Sequence, residues 1–508
     1  MLRPRAASSR RSAAGGRALA LAGALVVSAC TYSKAVNRLR FNLVSEVDEI
    51  ALGRQLDASV VEAAGLCDHP GIDVYVTGIG ARLAARGERP ALPWIFRVTD
   101  DADVNAFALP GGHVYVTRGL LAHLSAESEL AAALAHEIAH VNAYHGVNQY
   151  SRARVAQGGV GFFRVIDPGL RHVGGAVAGS AGLALLRRSR EDELEADALG
   201  LRYLTAAGYE AAGIQRLLGH LATLARDRAR AAEDPQQDPW LSTHPDPELR
   251  YQTITRKIAE ADASGGERGE ERLLARIDGM RYGPDPREGF VDARTFYHPR
   301  AGFEVTFPAA WEVAFDGRTV VAAYEPGARR IQVLGATEFE DPAQATTAFF
   351  NATELPHGPS VSGEVGGHPV LVTEFAAAND LLGRVAFIEY RGRVLLLAGF
   401  AAREVWEASL PAFQATLASF RDIADPAVLA VSPARLAVIT LDRPTSPREL
   451  LGDAPPRGVR AQDLAWVNHA AIDERLPAGA RVKVIVTQPP QAAAISGPQA
   501  LTVDAPPP

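Results

Sequence analysis

The sequence predicts a multidomain chain. A mainly α-helical N-terminal domain with a small β-sheet comes first, then an α+β domain on a mostly antiparallel sheet, then a small C-terminal module. Three observations predict it. The chain has 508 residues, whereas one domain usually takes about 100–200. Apolar residues recur at helical spacing up to about residue 260 and at a period of two beyond about residue 300. Between these regimes, Asp262 to Arg272 is charged and glycine-rich, the composition of a linker. With 47% apolar and 22% charged residues, wholesale disorder and a polytopic membrane protein are excluded. A net charge of −7 and the lack of a long basic run argue against nucleic acid as a partner.

The first 17 residues carry Arg3, Arg5, Arg10, Arg11 and Arg17 and no acid, and an apolar run, Ala18 to Val27, follows. As a helix that run rises about 15 Å, half of a bilayer core, so it reads as a secretory signal and not as an anchor. Val27-Ser28-Ala29-Cys30 then resembles the bacterial lipobox, in which the cysteine is lipidated and becomes the mature N-terminus. The alternative is an ordinary signal peptide with Cys30 incidental. Thr31, not Asp, would follow the lipidated residue, which favours the outer membrane. Cys67, the second of two cysteines, would be left alone and buried.

Helical periodicity marks Ser45–Ala64 and, after the Pro70-Gly71 break, Val74–Ala85. Trp94–Val98, Asn105–Leu109 and Val114–Thr117 alternate as strands, the last two separated by Pro110-Gly111-Gly112. Helix resumes at Ser125, with Ser125 as N-cap, Glu127 and Glu129 in the first turn and Gly146 at the end. Beyond 300, strands are expected at 302–307, 311–315, 320–324, 330–336, 370–376, 384–390 and 393–400, with helices near 342–351 and 404–420. The divisions are 1–29 signal, 30–262 helical domain, 263–286 linker, 287–424 α+β domain, 433–487 C-terminal module and 488–508 disordered Pro-rich tail.

The chemistry centres on His136-Glu137-Ile138-Ala139-His140. On a helix the two histidines sit 40° apart and one turn along, so both can reach one zinc at about 2.0–2.1 Å. Glu137 lies one step round, placed to act on a water without ligating the metal. With 13 His in the chain and roughly 6% Glu, about 0.02 chance matches are expected. A helix with two structural histidines is the alternative. A third ligand is required. A metzincin would have His where this chain has Gly146, and His145 on a continuous helix points about 140° away from His140. The stretch Ser189–Gly200 is the better source, because Glu193 and Asp197 share one helix face and Ala196 and Gly200 permit close packing. A solvated acidic face is the competing reading.

Asn105–Leu109 with Pro110-Gly111-Gly112, then Val116-Thr117-Arg118-Gly119-Leu120-Leu121, then HEIAH, then Glu193-Leu194-Glu195-Ala196-Asp197, resembles the HtpX/BepA-like zinc metallopeptidases. These are gluzincins related to the CAAX prenyl protease, and the resemblance covers about residues 45–262. It implies one zinc per chain on His136, His140 and Glu193, with Glu137 as general base and Asp197 as proton donor or histidine orienter. It also implies that the strand holding Asn105, Ala106, Phe107 and Ala108 pairs with an extended substrate. The family's integral members carry transmembrane spans; Val173–Leu186, at 14 residues, is too short for one, so the soluble lipoprotein branch fits. His244, in Ser242-Thr243-His244-Pro245, matches a His-Pro after the catalytic helices. It could gate the metal or stabilise the transition state; the alternative is a loop histidine capping the next helix.

The 287–424 domain resembles, by pattern only, small α+β domains of the photosystem-accessory or nuclear-import-adaptor type. The 433–487 module resembles a degenerate LysM module in which Arg443-Pro444-Thr445-Ser446 replaces Gly-Asp-Thr. The implied function is a zinc endopeptidase of the bacterial periplasm, lipid-anchored to the outer membrane. Its substrates would be misfolded or unassembled envelope proteins, and outer-membrane assembly machinery its partner. The alternative is an assembly scaffold with latent peptidase activity.

Overall fold

A hairpin of β1 (Cys30–Ser33) and β2 (Arg38–Phe41) opens the computed structural model. The structure describes residues 30–156, 188–230, 243–261 and 265–487, apart from 316, 318, 319, 326, 378 and 379. The signal segment, Val173–Leu186 and the 488–508 tail therefore lie outside the described residues. No helix among the described residues is long and apolar enough to cross a membrane.

Helix α1 (Glu46–Ala64) starts where the Ser45 hydroxyl accepts from the Asp48 amide, with Glu46, Asp48 and Glu49 complementing the helix dipole. Helix α2 (Ile72–Ala84) turns Ile72, Val76, Ile79 and Leu83 inward at helical spacing. A three-stranded sheet follows: β3 (Ile95–Thr99), β4 (Ala106–Leu109) and β5 (His113–Thr117), in the order β3-β5-β4. Strand β3 is parallel to β5, and β4 is antiparallel to it and lies at the sheet edge. After α3 (Arg118–His123) comes α4 (Glu127–Asn142), every residue of which is buried. Its alanine-rich sequence lets neighbours approach on all sides, as a central helix requires. Helices α5 (His145–Ala156), α6 (Arg190–Ala206), α7 (Ala212–Arg230), α8 (Pro247–Glu260) and α9 (Glu270–Ile277) complete the layer.

Two expectations fail here. Ser125 is not the cap of α4: Ala126 holds that position, and the Glu127 and Ser128 amides donate to the carbonyls of Gly269 and Arg268. A segment distant in sequence satisfies the helix start, which local reading could not supply. That same segment, expected as linker, carries α9, whose Leu273, Leu274 and Ile277, with Met280, lie in the helical core.

The next domain is α+β. Strands β6 (Phe290–Asp292), β7 (Thr295–His298), β8 (Phe303–Thr306), β9 (Glu312–Phe315), β10 (Val321–Tyr324) and β11 (Arg330–Ala336) precede α10 (Pro342–Thr353). Then come β12 (Val361–Val365), β13 (His368–Ala377), β14 (Leu381–Tyr390), β15 (Arg393–Ala402), α11 (Trp406–Ala418) and β16 (Arg421–Asp422). The strands form antiparallel sheets ordered β12-β13-β14-β15-β11-β10-β9 and β16-β8-β7-β6. Strands β6, β7, β12 and β16 were not expected; at two to five residues they show little alternation.

After α12 (Pro426–Leu429), the C-terminal unit runs β17 (Arg435–Thr440), α13 (Pro447–Leu450), α14 (Ala461–Val467) and β18 (Arg481–Val486), with β17 and β18 antiparallel. It docks on the helical domain: Leu436, Leu464 and Ile485 belong to the same core as α4. Lys483, His220 and His123 are buried at this contact, while His469 lies on its exposed side. The Lys483 amine donates to the carbonyls of Ala122 (3.0 Å) and Leu124 (2.6 Å), and the His469 ring stacks on His220 at 3.9 Å. His220 in turn meets His123 at 3.1 Å.

This contact sets a pH dependence. Burial pushes His123 and His220 well below the usual imidazole range, and lowers Lys483 to about 7. Unfolding lets each group take a proton that the folded state refuses. Stability is therefore expected to rise with pH between about 7 and the ordinary lysine value, and to fall as pH drops below about 6.5. Hydrogen exchange in residues 461–487 at pH 5.5, 7 and 8.5 checks this; protection that is flat or highest at pH 5.5 contradicts it.

Candidate active site

Helices α4 and α6 bring the motif residues together. Ala196 is fully buried, and a Cβ placed on Gly200 would lie 3.3 Å from the His136 amide nitrogen. The two backbones thus approach closely enough for Glu193, about one turn before Ala196 and two before Gly200 on α6, to face both histidines. His136 Nε2 lies 3.0 Å from His140 Nε2 and 3.4 Å from Glu193 Oε2, and His140 Nε2 lies 3.2 Å from Glu193 Oε1. His244 Nδ1 adds a fourth corner, 3.1 Å from Glu193 Oε2 and 3.4 Å from His136 Nε2. All four residues are buried, and their donor atoms lie within 4.8 Å of one another.

The far side of each ring is held. His136 Nδ1 lies 2.9 Å from Asp197 Oδ1 and donates to it, which turns Nε2 toward the cluster. Asp197 is gripped by Arg250, Nε to Oδ2 at 2.9 Å and Nη2 to Oδ1 at 2.8 Å. The Arg250 Nη1 atom also lies 2.8 Å from Glu193 Oε2. His140 Nδ1 meets His145 Nδ1 at 2.7 Å. The continuous helix assumed from sequence is broken: α4 ends at Asn142 and Tyr144 takes φ +61°. That left-handed residue, not Gly146, turns the chain and swings His145 back under His140.

Glu137 is buried, and its Oε1 has no hydrogen-bond partner among the described residues. His244 Nε2 lies 3.5 Å from that oxygen and donates to the Ala106 carbonyl on β4 at 3.2 Å. His244 thus points into the cluster, while the N-cap position of α8 belongs to Asp246. The segment Asn105–Ala108 lies on and just before the edge strand β4, beside the site. A cleft next to His140 is lined by Ala108, Leu109, Pro110, Val141, Tyr144 and Arg188. Cys30 opens β1, paired with Phe41, and Cys67 is half-buried, its thiol pushed up to about 11 by burial.

The residues fit a metal. Tetrahedral zinc with bonds of about 2.0–2.1 Å places its ligand atoms about 3.3 Å apart, and the edges here are 3.0, 3.2 and 3.4 Å. With both Nδ1 atoms engaged in donating, the Nε2 lone pairs face each other and Glu193 Oε1, a buried acceptor without a donor. Such a set demands positive charge. Burial and Arg250 push the His136 imidazole down, yet Glu193 and Asp197 carry it up to about 9, so the carboxylates draw in a proton where a divalent cation would serve. Burial holds His140 well below the usual imidazole range. Glu193 stays well below the carboxylate range: burial opposes this, but His244 and Arg250 outweigh it. Glu137 is different, because burial raises its carboxyl.

Sequence reasoning missed Arg250 and misplaced His145. The first is one arginine in a chain whose basic residues are nearly all arginine. The second depends on a break at Tyr144 that no glycine or proline announces.

Residues 73–258 match peptidase family M48. The chain is 30% identical to the beta-barrel assembly-enhancing protease of Yersinia pestis over 253 residues, covering 47% of this chain and 49% of that one. Its identity to the Escherichia coli K12 protein of the same name is 28% over 211 residues, 40% of this chain and 42% of that one. The mitochondrial metalloendopeptidase OMA1 of Schizosaccharomyces pombe is 29% identical over 249 residues, 48% of this chain and 72% of that one. The chain therefore spans less than half the length of these two bacterial relatives. Residues 73–258, with the buried His136-His140-Glu193 set at their centre, are thus the part of the chain that is similar to peptidase family M48, a family of metallopeptidases.

Proposed function

We propose that the helical domain, residues 30–262, is a zinc endopeptidase acting on envelope proteins. The observation that carries the reading is the convergence of His136, His140 and Glu193 at tetrahedral spacing beside Glu137, whose Oε1 accepts no hydrogen bond among the described residues. When bound, zinc polarises a peptide carbonyl and makes water acidic enough to ionise near neutral pH. Glu137 accepts the proton of the attacking water and returns it to the departing amine nitrogen. Asp197 fixes the His136 ring through Nδ1, and Arg250 holds Asp197 in turn. Strand β4 offers its free edge to an extended peptide, beginning where Ala106 now accepts from His244.

The bacterial relatives' names point to β-barrel assembly. On that likeness the substrates are misfolded or unassembled envelope proteins, the setting is the periplasm, and the outer-membrane assembly machinery is the partner. A lipid on Cys30 would hold the protein at the outer membrane. The C-terminal unit, with its β-α-α-β order, is a LysM-like module whose role here is docking on the helical domain.

One observation favours a second reading, a scaffold with latent activity. His244 fills the fourth corner of the cluster and bonds to the substrate strand, a closed arrangement. Casein cleavage by the full-length protein tests both. It should be abolished by a chelator, restored by zinc, and raised by about tenfold in His244→Ala, the factor for about 1.4 kcal/mol of closure. Cleavage indifferent to chelation rejects the zinc peptidase; a fall in His244→Ala rejects the gate in favour of a transition-state role.

A further inference from the structure

The metal-facing histidines differ in what stands behind them. His136 has a carboxylate, whereas His140 has a second imidazole. We propose that His145 and Glu195 are positioning residues for His140, forming a relay that fixes its tautomer and ring angle and reaches out to the N-terminal hairpin. The inference rests on reading the cluster as a metal centre.

The hydrogen positions follow from the neighbours. His145 Nε2 lies 2.9 Å from Glu195 Oε1 and 3.2 Å from Asp192 Oδ1. Two carboxylate oxygens, the nearer at 2.9 Å, outweigh the Arg40 Nη2 atom at 3.1 Å, which donates to Glu195 and not to the ring. They place a hydrogen on that nitrogen, so Nδ1 of the neutral ring carries the lone pair. The atom facing it at 2.7 Å is His140 Nδ1, which must therefore donate. A donating Nδ1 leaves His140 Nε2 as the lone pair, and that is the atom aimed at His136, Glu193 and the centre between them. With His145 removed, the His140 ring loses the acceptor that selects this tautomer.

The relay continues outward. Arg40 on β2 pairs with Glu195, lies 3.8 Å from Asp192, and approaches His145 Nε2 at 3.1 Å; Arg38 also pairs with Glu195. These guanidiniums neutralise the acids, so His145 can serve them as a neutral donor. The hairpin that begins at Cys30 thus completes the support of His140 through His145, 105 positions from Arg40 in sequence.

Zinc affinity of the full-length protein, measured by competition with a chromogenic chelator, tests the relay without using activity. His145→Leu should weaken zinc by about 10–100-fold, the usual loss when the group behind a ligating histidine is removed. His145→Asn places a carbonyl oxygen near the former Nδ1 and should recover most of that loss. A packing role predicts the reverse order, because Leu fills the space and Asn does not. Glu195→Ala, at the partly exposed end of the relay, should weaken zinc by about tenfold and carries the test if His145→Leu does not fold. The visible absorption of the cobalt(II)-loaded variants should shift with loss of affinity and not with melting temperature. Zinc bound by His145→Leu as tightly as by wild type, or Asn no better than Leu, overturns the relay while the metal centre stands. Wild type that binds no zinc removes the metal centre and the relay together.

Discussion

Glu137→Gln is expected to keep its zinc and its fold while turnover falls by about 10²–10⁴-fold. The substitution is nearly isosteric at a fully buried position, and Glu137 Oε1 has no hydrogen-bond partner among the described residues to lose. An amide also avoids the desolvation that raises the Glu137 carboxyl. What disappears is a group able to take a proton from water and return it to the leaving amine. Zinc content, melting temperature and kcat on a peptide substrate, measured on one preparation, separate these effects. Zinc lost along with activity would place Glu137 among the ligands; undiminished kcat would end its assignment as the base. In cells the same variant separates enzyme from scaffold, since only a scaffold would be replaced by it under envelope stress.

Glu193→Ala should lose zinc by more than about 100-fold, beyond the loss typical of groups that merely support a ligand. Two histidines at i, i+4 would remain, one donor short of the three protein ligands that a catalytic zinc site uses. The substitution also strands charge. Arg250 Nη1 faces Glu193 Oε2 at 2.8 Å, and His244 Nδ1 faces it at 3.1 Å. Removing the carboxylate leaves the Arg250 guanidinium facing the position a metal cation would occupy. Elemental analysis after dialysis reads the result. Zinc unchanged in Glu193→Ala would reopen His244 or His145 as the third ligand.

Legibility in the sequence followed the range of the interactions. His136 and His140 are set by helix geometry over four residues, and Glu193 with Asp197 by the same spacing on α6. The close approach of α4 and α6 was readable too, because Ala196 and Gly200 have nothing to obstruct it. The long strands β13, β14 and β15 show a period of two over ten residues each. What stayed hidden depends on partners far along the chain. Arg250 gains its meaning from Asp197 and Glu193, 53 and 57 positions earlier. Leu273, Leu274 and Ile277 are an amphipathic turn, yet the charge and glycine before them suggested a linker. Lys483 is buried because the end of α3 and the residue that caps it present two carbonyls to it, a fact invisible from either segment alone. His145 shows the subtler failure: its spacing was right for a continuous helix, and one left-handed residue at Tyr144 reversed the conclusion.

His136, His140 and Glu193 are expected to hold one zinc. Anomalous scattering recorded from crystals on both sides of the zinc absorption edge locates that ion. A single zinc peak per chain is expected, in contact with His136 Nε2, His140 Nε2 and the Glu193 carboxylate. A zinc-loaded crystal without a peak there, or with its peak at the His123-His220-His469 contact instead, would contradict it.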